Sequence, residues 1–402
     1  MEESQLHQLR IAIVHYWFAS RRGGELTVEA IAELFPQADI FALVADKDVL
    51  GPSLRGRHIT TSFIQRIPFS SKIHRYLLPL YPLATEQFDL TKYDVVISSE
   101  SGPAKGVITR ADTLHICYCH TPMRYLWDMY HDYRNRSADG RLKKFVFTAS
   151  AHYLRQWDLA SAARVDAFVA NSKNVANRIR KHYRREAVVI HPPVHTDVEL
   201  AGTDVEDFYL CVGQLVDYKR IDLAIQACTM LGRKLVIIGD GEEYKRLRKM
   251  AGPMVTFLGS LPWQELHSHY DRCRALLFPG EEDFGIVQVE AQAHGRPVIA
   301  FGRGGALECV DGFYPGTSGP ENSTGVFFAE QSPDSLIEAI RTFEGVESSF
   351  NCNLIRLRAK RFDVSRFKAK MHEFVVDSLA QFRSERGENA SLRNSQETSV
   401  RH

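Results

Sequence analysis

Glu282-Asp283-Phe284-Gly285-Ile286-Val287-Gln288-Val289-Glu290 is the stretch around which this chain is organised. Before it runs Ala275-Leu276-Leu277-Phe278-Pro279, a short apolar segment ending at a proline, the pattern of a buried strand. After it, Ala291-Gln292-Ala293-His294-Gly295-Arg296-Pro297 continues a helix that a glycine and then a proline close. Two carboxylates, Glu282 and Glu290, thus flank a strand-to-helix turn at the carboxyl edge of a sheet. Open α/β folds bind ligands at that edge, and a helix N-terminus there offers free N–H groups to an anion. Two nearby glutamates alone would suit a solvated loop equally well. The whole frame, strand-Pro-x-x-Glu-x-Phe-Gly-Ile-Val-x-x-Glu-Ala, is far more specific.

The bulk properties set the scale. A chain of 402 residues is too long for one ordinary core, so two domains of similar size are expected. With 44% apolar and 25% charged residues and a formal net charge of +1, nothing in the overall charge favours a nucleic-acid partner. The seven cysteines are odd in number and mostly embedded in apolar runs, which suits reduced, buried thiols rather than a disulfide framework. Cys117-Tyr118-Cys119-His120 carries metal-ligating residue types, but its alternation suits a strand and no second pair follows at zinc-finger distance. No signal peptide and no run of about 18–20 apolar residues is visible. The expectation is a cytoplasmic protein whose only membrane contact is peripheral.

In the first half, Arg10-Ile11-Ala12-Ile13-Val14-His15 reads as a buried strand. It leads through Arg22-Gly23-Gly24-Glu25, expected to be a glycine loop, into a helix over 26–35. Paired glycines let a backbone approach a ligand closely at a helix start, although most such pairs are simply tight turns. From Arg55 to Tyr76 the chain carries Arg55, Arg57, Arg66, Lys72 and Arg75 without an acid, interleaved with Phe63, Ile64, Ile67 and Phe69. That mixture suits the headgroup region of an anionic membrane and, equally, a solvated loop capped onto the core. Strands over 93–99 and 113–120 follow, the second delivering His120 to a Thr-Pro turn. Arg124, Tyr125 and Trp127 come next and are candidates for acceptor binding, since aromatic faces stack on sugars and arginine grips phosphate. Tyr125 and Trp127 could as well be core anchors.

His191-Pro192-Pro193-Val194 is a stiff hinge, which places the domain boundary at 194 and 195. The second half restarts with a strand ending at Gly213, then Gln214 to Lys219-Arg220 and a helix over 221–227. Lys219 and Arg220 beside a strand-to-helix turn suit a diphosphate, because fixed cations stabilise an anion's charge. An exposed pair at a helix start is the plainer alternative. Lys234 to Gly241 is a strand with a glycine-rich turn, and further strands fall at 255–262, 297–302 and 325–328. Phe367, Met371, Phe374, Val375, Ser378 and Phe382 then share one helix face. From 384 to 402 the chain is polar, and disorder is expected there.

Alternating strands and helices in each half predict an α/β protein of two Rossmann-like domains, 1–194 and 195–364, with a helix over 365–383. The motif around Glu282 and Glu290 resembles the donor site of retaining glycosyltransferases of the GT-B fold, family 4. That resemblance implies two domains facing each other across a cleft, with the final helix crossing back onto the first. It implies that Glu290 binds the ribose of a nucleoside diphosphate sugar and Glu282 approaches the transferred sugar. The intervening turn, with Phe284, Gly285 and Ile286, would offer backbone N–H groups, and Gly213 and Gly241 belong to the same donor side. His120 would stand against the donor sugar, and Gly23 and Gly24 near phosphate and acceptor. No metal or other cofactor is implied; cationic side chains and helix ends would carry the charge instead. Gln214 stands where the family usually has an arginine, and His195 where it usually has an aspartate. His15-Tyr16-Trp17, Thr61-Ser62-Phe63-Ile64-Gln65 and Cys119 to Tyr125 look most like bacterial mannosyltransferases of O-antigen and exopolysaccharide assembly. GDP-mannose is therefore the first expected donor, with a UDP-hexose or dTDP-rhamnose as alternatives, and a glycan or lipid-linked molecule the acceptor. A sugar-nucleotide epimerase and a non-catalytic partner of an assembly complex, the latter prompted by Gln214, stay open.

Overall fold

The computed structural model describes residues 8–73, 77–136, 140–199, 204–317 and 319–399. The described residues form two compact units. The first comprises 1–171, 175–190 and 367–402; the second comprises 172–174 and 191–366. The change of unit thus falls between Ile190 and His191, whereas the boundary was expected between Val194 and His195.

The first unit holds β1 (Ile11–Phe18), β2 (Asp39–Ala45), β3 (Ile59–Thr61), β4 (Val95–Glu100), β5 (Leu114–Cys119), β6 (Ala167–Ala170) and β7 (Val188–Val189). The second holds β8 (Tyr209–Val212), β9 (Leu235–Ile238), β10 (Val255–Gly259), β11 (Leu276–Phe278), β12 (Val298–Phe301), β13 (Gly312–Phe313) and β14 (Gly325–Phe328). Among the described residues these make two seven-stranded sheets, ordered β3-β2-β1-β4-β5-β6-β7 and β10-β9-β8-β11-β12-β14-β13. Every pairing is parallel. A parallel sheet needs cover on both faces, which is why its strands read as unbroken apolar runs. In the second unit Tyr209, Cys211, Leu277 and Ile299 pack into one apolar cluster while Leu210, Leu276, Phe278 and Val298 pack into another. The period of two along each strand sends alternate side chains to opposite faces. Cys117 and Cys119 likewise lie together in an apolar cluster with Phe168 and Val175, as structural thiols do.

The helices used below are α1 (Gly23–Leu34), α2 (Arg141–Ala162), α3 (Trp263–Arg272), α4 (Ile286–Ala293) and α5 (Val364–Ser399). Two expectations need correction. Gly23 and Gly24 are not a loop: they are the first turn of α1, whose start is held by the Glu25 carboxylate accepting from Arg22 N–H at 3.0 Å. The segment from 384, expected to be disordered, continues α5 as far as Ser399. Its Glu, Arg, Ala, Leu and Gln residues are strong helix formers, so low hydrophobicity there did not mean low helicity. Phe367, Met371, Val375 and Leu379 form the buried stripe of α5, one residue per turn. Phe367 packs edge-on against Tyr118 at 5.7 Å, and Lys368 pairs with Glu33 at 2.7 Å, all within the first unit.

The basic segment after β2 is mostly bound to its own core. Arg55 donates to the Leu50 carbonyl at 2.9 Å, and Arg57 to the carbonyls of Ala32 at 3.1 Å, Pro36 at 3.2 Å and Ala38. Ile64 is fully buried, whereas Arg66 and Phe69 are exposed. Arg75 and the Lys72 side chain lie outside the described residues. Among the described residues no helix is long and apolar enough to cross a membrane.

One buried ion pair anchors the first unit. Lys105 and Asp158 are both inaccessible and hydrogen-bonded, and Asp158 also accepts from Trp127 Nε1 at 2.8 Å and Tyr183 Oη at 3.0 Å. Removing one member strands the other charge in a dry interior, a loss of about 3–5 kcal/mol. Lys105→Met is therefore expected to lower the unfolding free energy by that amount in urea titrations, and Lys105→Met with Asp158→Leu to recover part of it.

Candidate functional site

The strand order reverses between β1 and β4 in the first sheet and between β8 and β11 in the second, whose far edge also exchanges β14 and β13. Adjacent strands there send their connections to opposite faces, opening a crevice beyond their carboxyl ends. Some of the candidate residues of each unit gather at these two places, and others do not.

In the second unit β8 leads to Gly213 and then to Lys219, and β11 leads to Pro279 and the turn carrying Glu282. The two loops meet: Lys219 Nζ lies 2.8 Å from Glu282 Oε1, both side chains mostly buried. Gly213 adopts φ +138°, and a Cβ on it would stand 2.6 Å from the ammonium, so glycine leaves room for Lys219 there. On the other side the Gly305 N–H donates to the Glu282 carbonyl at 2.8 Å. A Cβ at Gly305 would come within 2.3 Å of Phe284 Cα and carbonyl oxygen. The glycine-rich loop after β12 thus pins the turn that carries Glu282, a role its sequence did not reveal.

Glu290 sits one turn into α4 and is buried. Its Oε2 accepts from Tyr270 Oη at 2.8 Å. Tyr270, on α3, is fully buried and stacks on His294 at 5.5 Å, whose Nδ1 lies 2.6 Å from Asp271 Oδ1. Burial pushes the Glu290 carboxyl up to about 7, and the Tyr270 hydrogen bond and the Lys219 charge only partly offset it. Tyr270 was invisible to sequence reading, because nothing in His267-Ser268-His269-Tyr270-Asp271 marks one side chain as aimed at a carboxylate.

The remaining donor-side candidates divide. Gly285 caps α4 at φ +102°, and Ile286 packs its side chain on the apolar cluster while standing first in the helix. Phe284 is a core anchor, edge-on to Phe362 at 5.2 Å and tilted against His191 at 5.4 Å. Gly241 is a packing position, where a Cβ would meet the Leu215 carbonyl at 2.3 Å. Arg220 is not brought to Glu282: its left-handed backbone at φ +51° turns the guanidinium onto Asp222, two contacts of 3.2 Å. Gln214 is half-buried at the end of β8.

In the first unit, a cavity of about 280 Å³ opens beyond β1 and β4, lined by Tyr16, Trp17, Arg22, Gly24, Glu25 and Ser101. A Cβ at Gly24 would stand 2.6 Å from Tyr16 Oη and 3.7 Å from His120 Nε2, so the structure brings Gly24 and His120 together. His120 Nε2 is 2.9 Å from Ser99 Oγ. Although half-buried by surface area, it is crowded enough that burial, with a smaller push from His15, lowers its pKa to about 3. The imidazole is neutral at physiological pH, a hydrogen-bonding group rather than a charge.

The acceptor candidates are more structural than the sequence suggested. Trp127 is tied to Asp158 and stacks on His182 at 4.7 Å. Tyr125 donates to Met123 Sδ at 3.0 Å. Arg124 is half-buried and contributes to the lowered pKa of Asp128, behind the His182 hydrogen bond and Arg178.

Two Rossmann-like units, each with its ligand-type crevice at the sheet reversal, define a GT-B architecture. The model for glycosyltransferase family 4 matches residues 21–198, and that for glycosyl transferases group 1 matches 199–349. The two matches abut, and the chain belongs to family 4 of the GT-B glycosyltransferases. An uncharacterised glycosyltransferase of Methanocaldococcus jannaschii is 30% identical over 163 residues, 39% of this chain and 46% of that protein. A GDP-mannose-dependent alpha-(1-6)-phosphatidylinositol monomannoside mannosyltransferase of Mycobacterium tuberculosis is 32% identical over 149 residues, 33% and 36% of the two chains. These matches span less than half the length of either relative. The human alpha-1,3/1,6-mannosyltransferase is 25% identical over 351 residues, 76% of this chain and 78% of that one. Among solved structures, Anabaena HepE in complex with UDP has the same fold, with a TM-score of 0.66 and 15% identity over 92% of this chain and 100% of that one.

Glu290 gives this site a pH signature. Its folded pKa near 7 lies above the ordinary 4.5, so between those values the folded protein keeps a proton that the unfolded chain has released. The stability this contributes is fully present below about pH 4.5 and is lost as pH rises to about 7, an effect of at most about 3 kcal/mol. Glu290→Gln is expected to remove that downward slope in urea unfolding measured from pH 5 to 8.

Proposed function

We propose that this protein is a retaining glycosyltransferase that moves a hexose, first of all mannose from GDP-mannose, to a glycan or lipid-linked acceptor in cell-surface polysaccharide assembly. The observation that carries the reading is the Lys219–Glu282 pair, at 2.8 Å, set with Glu290 at the strand reversal of the second sheet. Glu290 accepts hydroxyl hydrogens from the ribose, with Tyr270 occupying one of its oxygens and orienting the other. Glu282 holds the hexose by its hydroxyls and keeps Lys219 extended. When the anomeric carbon–oxygen bond breaks, the electron pair goes to the diphosphate, whose new charge Lys219 stabilises. The acceptor oxygen bonds to the anomeric carbon on the same face, and its proton passes to the departing phosphate oxygen. Arg220, turned onto Asp222, is not assigned a part. For the first unit, the cavity beside Gly24 and the neutral His120 are assigned to sugar and acceptor hydroxyls. The mannose reading is supported by the mannosyltransferase relatives, and the nucleotide reading by the UDP held in a protein of the same fold.

Two measurements test the proposal. Lys219→Ala and Glu282→Gln are each expected to cut turnover about 10²–10³-fold with unchanged thermal unfolding, the usual loss of one preorganised charge-stabilising group. Near-normal turnover in both would sink the mechanism. Calorimetric titration with GDP-mannose, UDP-glucose and dTDP-rhamnose is expected to show GDP-mannose binding at least ten times more tightly than the others. Preference for another base would reject the mannose assignment while leaving the transferase intact.

A further inference from the structure

Helix α2 (Arg141–Ala162) has one face buried through Ala151, Leu154 and Asp158 and another that the fold leaves uncovered. Leu142 is 75% exposed, Phe145 70%, Val146 54% and Tyr153 50%. At the 3.6-residue repeat these four and the exposed Ala149 fall within about a third of the circumference, opposite the buried face. Single exposed apolar residues are ordinary, but a coherent stripe of large ones is not. The charges that the helix itself carries beside the stripe are of one sign. Arg141 and Lys143, both exposed, lie on its two flanks, and no Asp or Glu occurs from 141 to 157; Arg155, on the inner side, is spent on the Leu126 carbonyl and the Trp127 and Tyr130 rings.

We propose that the outer face of α2 is a docking surface for an anionic lipid bilayer. The helix lies in the interface plane, with Leu142, Phe145 and Val146 entering the headgroup–acyl boundary and Arg141 and Lys143 meeting lipid phosphates. The apolar stripe supplies burial, and the flanking cations supply the attraction that selects an anionic surface. A second copy of this chain fits less well, because two such faces would bring like charges together, and protein–protein interface cores are depleted in lysine. The basic segment expected to serve this purpose, 55–76, is a poorer candidate, since Arg55 and Arg57 are spent on backbone carbonyls. The docking surface does not depend on the donor chemistry proposed above.

The test is flotation of the full chain with phosphatidylcholine vesicles, with and without about 30% phosphatidylglycerol, alongside light scattering for oligomeric state. Binding is expected to be at least about 10-fold stronger on the anionic vesicles. Leu142→Glu with Phe145→Glu, and separately Arg141→Glu with Lys143→Glu, should each lower it roughly 10- to 30-fold while circular dichroism and nucleotide-sugar binding stay unchanged. Equal binding to both vesicle types would overturn the proposal. So would binding indifferent to both double variants, loss confined to Arg66→Glu, or variants whose only effect is to dissociate an oligomer.

Discussion

Lys219 and Glu282 meet at 2.8 Å where their two loops pack backbone to backbone, since a Cβ on Gly280 would stand 2.7 Å from Lys219 Cα. Gly213 clears the space into which the ammonium reaches, and Gly305 lets a third loop press its N–H onto the carbonyl of Glu282. Three loops, following β8, β11 and β12, are thereby locked to one another at the edge of a parallel sheet. A long flexible lysine would otherwise give up considerable rotamer freedom to hold one position. Here much of that cost is met in folding, so the ammonium is held in place before any ligand arrives.

The same economy governs Glu290. A buried carboxylate with a single phenolic donor is an unfavourable arrangement in the free protein, and its raised pKa is the measure of it. A ligand that offered hydroxyl donors would supply what the fold withholds, and its binding would then be coupled to ionisation at this residue. The stack of Tyr270 on His294, itself held by Asp271, fixes the phenol that in turn fixes the carboxylate. His120 in the first unit follows the opposite logic. Burial keeps its imidazole neutral, so it can donate or accept without bringing charge to its surroundings.

Much of the fold was legible before any coordinate. The strands β1, β5, β11 and β12 read directly, because a parallel strand buried on both faces must be apolar throughout and is bounded by turn residues. The short edge strands β3 (Ile59–Thr61) and β13 (Gly312–Phe313) did not, since two or three residues carry no periodicity. Gly23 and Gly24 misled for a related reason: a glycine pair marks a loop as readily as the first turn of a helix. Only the capping of α1 at Arg22 and Glu25 shows which applies. Trp127 shows the same ambiguity among aromatics, a sugar-stacking residue by type and an Asp158-bound anchor in fact.

What the sequence determined by itself is the class of protein and the two carboxylates, because an unbroken motif spanning one strand, one turn and one helix is local and its geometry follows from hydrogen bonding along the chain. What only the tertiary structure decided is which distant groups complete them. Lys219 rather than Arg220 pairs with Glu282, Tyr270 rather than any neighbour reaches Glu290, and the Gly304-Gly305 loop rather than the motif itself holds the turn. These partners come from strands and helices that are remote in sequence and adjacent only because a parallel sheet places the carboxyl ends of β8, β11 and β12 side by side. Contact between side chains depends on that alignment and on the backbone angles at single residues, such as the left-handed Arg220. Neither quantity is written in residue type alone.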